Sequence, residues 1–149
     1  MPAYIDAEPL SMHWTRDEFR ITNQPPTASV ESTYRLLQTT YWAHVRPIDV
    51  VEKLLQNSLC FFLLRDEKQI GFGRVITDYT TTSWVADVII VSEFQGQGLG
   101  SWMMQCMLEH SDIKQTQFVL QTGTAHDFYE RLGFAKSENL MSTGADYLD

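Results

Sequence analysis

Apolar residues recur along this chain in two rhythms, and the switch between them divides it into elements. Phe19-Arg20-Ile21-Thr22 alternates and predicts a short strand. Beyond the turn at Pro25-Pro26, Val30, Tyr34, Leu37, Tyr41 and Trp42 return at helical spacing, with Thr27 or Ser29 placed to cap the helix. Pro47 fits the first turn of a second helix that carries Val50, Val51, Leu54 and Leu55. The period then shortens. Leu59-Cys60-Phe61-Phe62-Leu63-Leu64 predicts a buried strand, Arg65 to Lys68 an exposed turn, and Ile70 to Ile76 the other arm of a hairpin. Thr80 to Ser83 turns the chain again before a strand from Trp84 to Val91. Leu99, Trp102, Met103, Cys106, Met107 and Leu108 mark a long amphipathic helix. A strand at Phe118-Val119-Leu120 follows, then a short helix from Thr124 to Leu132, stopped by Gly133, and Phe134 opens a last strand. A meander followed by crossover helices implies a mixed sheet of α/β or α+β type.

Between the third strand of the meander and the long helix lies Gln95-Gly96-Gln97-Gly98-Leu99-Gly100. Three glycines at alternate positions let the backbone turn sharply and approach a ligand closely. At a helix start, free N–H groups and the positive dipole end form an anion site. An ordinary strand-to-helix turn is the competing reading of such a loop.

Composition narrows the choice of ligand and partner. The 149 residues suit one domain, residues 1–149, with 44% hydrophobic and 20% charged positions, ordinary for a soluble globular protein. A net charge of −8 argues against nucleic acid as partner, because such binding needs a basic face. It also means that local dipoles, not the long-range field, must hold any anion in the loop. No apolar run reaches the roughly 20 residues that span a bilayer, and the first residues, Met1 to Asp6, do not look like a signal peptide. No membrane partner and a cytoplasmic location are therefore expected. Cys60 and Cys106 have apolar neighbours and no ligand spacing, and His13, His44 and His110 stand isolated, so no metal is assigned.

The dinucleotide fingerprint G-x-G-x-x-G fails, because the third position falls on Ser101 or on Met103, and no Gly-Lys-Ser/Thr of a P-loop is present. Gln95-x-x-Gly98-x-Gly100 instead resembles the Q/R-x-x-G-x-G/A signature of the GCN5-related N-acetyltransferases. Ala125-His126-Asp127-Phe128-Tyr129-Glu130-Arg131-Leu132-Gly133-Phe134 is similar to the family's A-x-x-F/L-Y-x-x-x-G-F element, and the two stand one helix and one strand apart. Asp87-Val88-Ile89-Ile90 and Glu93-Phe94 match the usual approach to the loop, so the likeness covers most of residues 59 to 134. It implies a central mixed, mostly antiparallel sheet of about six strands flanked by four helices.

The resemblance further implies acetyl-CoA as acyl donor. Its pyrophosphate would rest on Gln95, Gly96, Gln97, Gly98, Leu99, Gly100 and Ser101, and its arm on main-chain groups of Ile89, Ile90 and Val91. His126 and Tyr129 would line the thioester channel. Many members carry Arg or Lys in the loop, whereas Gln stands here at 95 and 97, so N–H groups and the helix dipole would do the binding.

Acetyl transfer to an amine needs a proton acceptor for the amine, stabilisation of the oxyanion, and a proton for the departing thiolate. Tyr129 matches the family tyrosine that often protonates the sulfur, and a phenol of ordinary pKa near 10 is protonated at neutral pH. Asp87, Asp78 and His126 are candidates for the base, each weighed against a structural or surface role, and a water relay also serves. The region of Tyr41, Trp42 and Arg46 walls the acceptor site in this family. Its aromatic rings suit a cation or apolar amine, and Arg46 suits a carboxylate. Fifteen residues follow Phe134, which leaves a short final edge or one completed by a second copy in a homodimer.

The reading that follows is an acetyl-CoA-dependent N-acetyltransferase acting by direct transfer in a ternary complex on a primary amine of a small molecule or peptide. The alternative is a non-catalytic acyl-CoA-binding sensor or partner-binding module on the same fold. A different acyl donor is a third, weaker option.

Overall fold

A computed structural model describes residues 9–143. Its elements are β1 (His13–Arg16), β2 (Phe19–Thr22), α1 (Ser29–Gln38), α2 (Ile48–Asn57), β3 (Leu59–Arg65), β4 (Lys68–Thr77), β5 (Thr82–Ile90), α3 (Leu99–Glu109), β6 (Gln117–Leu120) and α4 (His126–Glu130). The six strands form one sheet in chain order, antiparallel from β1 to β5, with β6 parallel to β5. A helix crossover is what parallel neighbours require, and α3 supplies it.

The continuous apolar run of β3 reflects cover on both faces of the sheet. Leu59, Phe61 and Leu63 pack with Met103 and Met107 of α3, while Cys60, Phe62 and Leu64 pack with Leu36 of α1 and Leu54 and Leu55 of α2. Helix α3 lies directly on the β4 backbone at Gly73, where a Cβ would come within 3.0 Å of the Met107 sulfur. A side chain at this position would push the methionine ends of α3 away from the sheet.

Strand number and helix number agree with expectation, but two strands differ from it. The hairpin arm β1 was not legible: Trp14 is its one half-buried residue, so the segment has almost no apolar alternation. It is held by pairing with β2 and by Trp14 resting near Phe61 and His110. The buried His110 accepts from the Asp112 N–H at Nδ1 (3.1 Å), which leaves Nε2 to donate to the Leu10 carbonyl (3.0 Å) and ties the N-terminal segment to the end of α3.

Conversely, no strand forms after Phe134 among the described residues. Gly133, at φ +99°, ends α4, and the Phe134 N–H returns to the Tyr129 carbonyl at 3.1 Å. From Ala135 to Thr143 every residue is exposed. That segment has no alternating apolar face to bury.

Two smaller expectations also change. Neither Thr27 nor Ser29 caps α1: Ala28 holds the cap position in a left-handed conformation without a side-chain bond. Tyr41 and Trp42 lie beyond α1, in the turns that lead to α2, and Pro47 stands just before α2.

Candidate active site

Strands β5 and β6 separate partway along. Their ladder runs from Thr82↔Gln117 to Val85↔Leu120 and stops, so Ala86 to Ile90 have no partner on that side. The Val91 N–H donates to the Ile70 carbonyl at 2.9 Å, and the pairs Gly71↔Ile90 and Phe72↔Ile89 continue the β4 register. By strand alternation Val91 and Ile89 turn their main-chain groups to β4, and Ile90 turns its own into the gap. The expectation of three open main-chain groups at Ile89, Ile90 and Val91 thus narrows to Ile90.

The gap leads to the glycine loop. Gly96 and Gly98 have φ of +82° and +79°, which side chains rarely adopt, and a Cβ on either would meet nothing within 4 Å. The glycines serve backbone shape and leave open space outside it. Gly98 is the N-cap of α3, so the N–H groups of Leu99, Gly100 and Ser101 begin the helix without helical acceptors. Leu99 is buried and pins the helix start, while Gln97 is exposed. No Lys or Arg occurs between Val91 and Glu109. Gln95 has a role the sequence did not reveal: its Nε2 donates to the Ile90 carbonyl at 2.9 Å, fastening the loop to the strand end.

Helix α4 reaches this region with Phe128, whose ring lies 3.6 Å from where a Gly100 Cβ would stand, with Ile90 Cγ1 at 3.8 Å. The adjacent Tyr129 ring is wedged between Phe128 and Phe134, with centroids at 5.0 and 5.8 Å. Burial pushes its phenol above the ordinary tyrosine value, so the group is a proton donor at neutral pH. His126 and Tyr129 both line a cavity of about 1120 Å³ between β6, α4 and the segment from Phe134 to Leu140. None of the glycine-loop residues Gln95 to Ser101 lines that cavity.

At the vertex of the gap β5 bulges. Arg74 pairs with Ala86 and Phe72 with Ile89, which sets Asp87 and Val88 against Gly73 alone. Asp87 takes φ +53°, a conformation Asp tolerates better than most residues. Its buried carboxylate gathers three donors: Arg74 Nε and Arg46 Nη1 at 2.6 Å each on Oδ2, and Trp42 Nε1 at 3.0 Å on Oδ1. Burial by itself would raise this carboxyl, but Arg74 and Arg46 outweigh it and hold it below the usual range. Asp87 is therefore a fixed anion and a poor proton acceptor. Its loop partners bring Tyr41, Trp42 and Arg46 to the bulge, with the Tyr41 ring edge-on to Trp42 at 5.0 Å.

Asp78 has a different place. It lies in the β4–β5 turn, where it accepts from the Thr81 hydroxyl and from the N–H groups of Thr80, Thr81 and Thr82. The Thr81 hydroxyl bond and those backbone bonds lower its pKa. Its job there is turn closure, and β5 carries it away from the vertex. Arg74 and Ser58, by contrast, were not anticipated. Arg74 Nη1 donates to Ser58 Oγ at 3.1 Å. A lone charge inside the apolar run from Ile70 to Ile76 is the signal that could have found Arg74, since a charge in a covered strand requires a partner. Burial pushes the Cys60 and Cys106 thiols up to about 12, so neither is a thiolate nucleophile. No metal-holding cluster occurs among the described residues, and no helix there is long and apolar enough to cross a membrane.

A family model for the acetyltransferase (GNAT) domain matches residues 56–136, the stretch that holds the gap, loop and α4. The chain belongs to the GNAT family. Among relatives of this GNAT protein is one from Gibberella zeae named as a candidate acetyltransferase, 28% identical over 144 residues and aligned over 81% of each chain. An N-acetyltransferase ycf52 of Gracilaria tenuistipitata var. liui, itself uncharacterised, is 32% identical over 108 residues, covering 67% of this chain and 58% of that one. A crystal structure of a candidate GNAT acetyltransferase from Xanthomonas campestris pv. campestris superposes with a TM-score of 0.80 at 30% identity, over 87% of this chain and 95% of that one. The GNAT protein described here is an acetyltransferase with a mixed, mostly antiparallel sheet and four helices.

Proposed function

We propose that this acetyltransferase moves the acetyl group of acetyl-CoA directly to a primary amine within a ternary complex. The observation that carries the reading is the alignment of the glycine turns at Gly96 and Gly98, the edge of β5 left unpaired beyond Val85, and the bulge at Asp87. An anionic end fits the loop, where backbone N–H groups and the α3 dipole converge. An extended amide-bearing arm fits the strand edge, where the Ile90 N–H faces the gap. The thioester then lies toward the vertex, beside the loop of Tyr41, Trp42 and Arg46.

In this scheme the amine nitrogen attacks the acetyl carbon, the C–S bond breaks, and the sulfur takes a proton from the Tyr129 phenol. The ammonium proton leaves to water or to His126 at the start of α4. Asp87 is not the base in this scheme, because its carboxylate is already bonded to two guanidinium groups. Incubation with acetyl-CoA and an amine panel, following free thiol, tests the proposal; amine-dependent thiol release supports it. Acetyl-CoA binding without transfer to any amine, peptide or protein would replace it with the acyl-CoA-binding module. That second reading is favoured by one observation: both carboxylates considered as bases are engaged in structural bonds.

A further inference from the structure

The charges around Asp87 do not cancel. Arg46 and Arg74 share a single carboxylate, and both bond the same oxygen, Oδ2, because Trp42 holds Oδ1. Arginine and carboxylate ordinarily close as a two-bond fork. Here the second oxygen is taken, so Arg46 is attached by Nη1 alone. Arg74 has its own second partner in Ser58. Among the described residues, nothing accepts from the remaining side-chain N–H groups of Arg46. Exposure separates the three charges: 27% for the Arg46 side chain, 14% for Arg74 and 2% for Asp87. The surplus positive charge is therefore presented to a ligand at Arg46, at the vertex of the β5–β6 gap, in a chain whose net charge is −8.

One positive charge on a planar fork matches one singly charged, planar anion. A phosphate dianion would exceed it beside the Asp87 carboxylate. Tyr41 stands 58% exposed on the same loop, edge-on to Trp42, and offers a ring face next to the cation.

We infer that Arg46 binds a carboxylate carried by the acceptor, so that the acceptor is an amino acid or a peptide read at its carboxyl end. The inference rests on the acetyl-transfer reading above and narrows its substrate class. It is tested with matched amines: phenylalanine, phenylalaninamide and phenethylamine; lysine and cadaverine; and O-phosphoethanolamine. Loss of the carboxylate should lower kcat/KM at least about tenfold, mainly through KM. Arg46→Gln should bring each pair within about twofold of each other, and Arg46→Lys should retain part of the difference. Equal or better use of the neutral partners, preference for the phosphate-bearing amine, or an equal loss on both members of a pair in Arg46→Gln would overturn it while transfer itself stands. The wild-type comparison decides even if the variants do not fold. Acetyl-CoA binding with no amine acetylated would remove this inference together with the transfer reading, a distinct result.

Discussion

Trp42 and Asp87 lie 45 residues apart and are joined by an indole-to-carboxylate hydrogen bond of 3.0 Å. Through it the turns after α1 are fixed to the bulge of β5, and the same carboxylate receives Arg46 and Arg74. One side chain thus holds the loop after α1 against the strand that borders the gap.

Removing that side chain should be costly. Asp87→Ala leaves two partly buried guanidinium groups without their anion, and breaking such a cluster costs about 3 kcal/mol. The pH dependence has a definite sign. The Asp87 carboxyl is depressed in the folded state, so its contribution is present above the ordinary aspartate value near 4 and is lost as pH falls through the depressed one. Urea unfolding between pH 2 and 7 should show wild-type stability dropping in the acid range, and Asp87→Asn should be weaker at neutral pH with a flatter acid limb. Parallel curves would contradict the assignment.

Gly98 and Gly100 should behave differently. Gly98→Ala forces a side chain into φ +79° and should lower stability by about 1 kcal/mol, although nothing crowds its Cβ. Gly98→Glu adds a carboxylate to the open space and should abolish acetyl-CoA binding by calorimetry. Gly100→Ala meets only ordinary contacts with Phe128 and Ile90 at 3.6 to 3.8 Å and should be tolerated in both assays.

If the proposed transfer holds, Tyr129→Phe should reduce turnover far more than acetyl-CoA affinity, because it removes the phenol proton and keeps the ring packed on Phe128 and Phe134. Since burial raises the phenol pKa, the wild-type rate should show no loss of this acid through pH 9. A variant with wild-type turnover would exclude Tyr129 from the chemistry.

Gln97 is exposed in a loop without cations. Gln97→Arg should therefore tighten acetyl-CoA binding by roughly 0.5–1 kcal/mol, an effect that added salt should erase. Gln95→Ala should act oppositely: it removes the bond to the Ile90 carbonyl, costs about 1 kcal/mol of stability and weakens binding at any ionic strength. Thermal shift with and without acetyl-CoA separates the two.

Much of this arrangement is legible along the chain because its causes are local. The apolar run Leu59 to Leu64, the 3.6-residue spacing of α3 and the glycines at 96 and 98 each report a backbone preference or a covered face. The resemblance of residues 59 to 134 to the GNAT family carried the fold and the loop on the same grounds. Where local signal was weak, reading failed: β1 has one apolar contact to announce it, and the polar stretch from Ala135 to Thr143 forms no strand.

What only the folded chain decided concerns charges and partners distant in sequence. Asp87, Trp42, Arg46 and Arg74 looked like a candidate base, an aromatic wall, a ligand cation and an unremarked strand residue. The sheet register and the loop after α1 bring them onto one carboxylate, because a charge withdrawn from water must find its partners wherever the fold supplies them. Gln95 likewise finds a side-chain partner only in the fold, where the end of β5 brings the Ile90 carbonyl within reach. The sequence by itself determined that a glycine loop opens α3 behind a β-strand, since glycine's missing Cβ acts where it stands. Which side chains that loop and strand leave free for a ligand was settled by tertiary contacts, since hydrogen-bond capacity is consumed by whatever neighbour arrives.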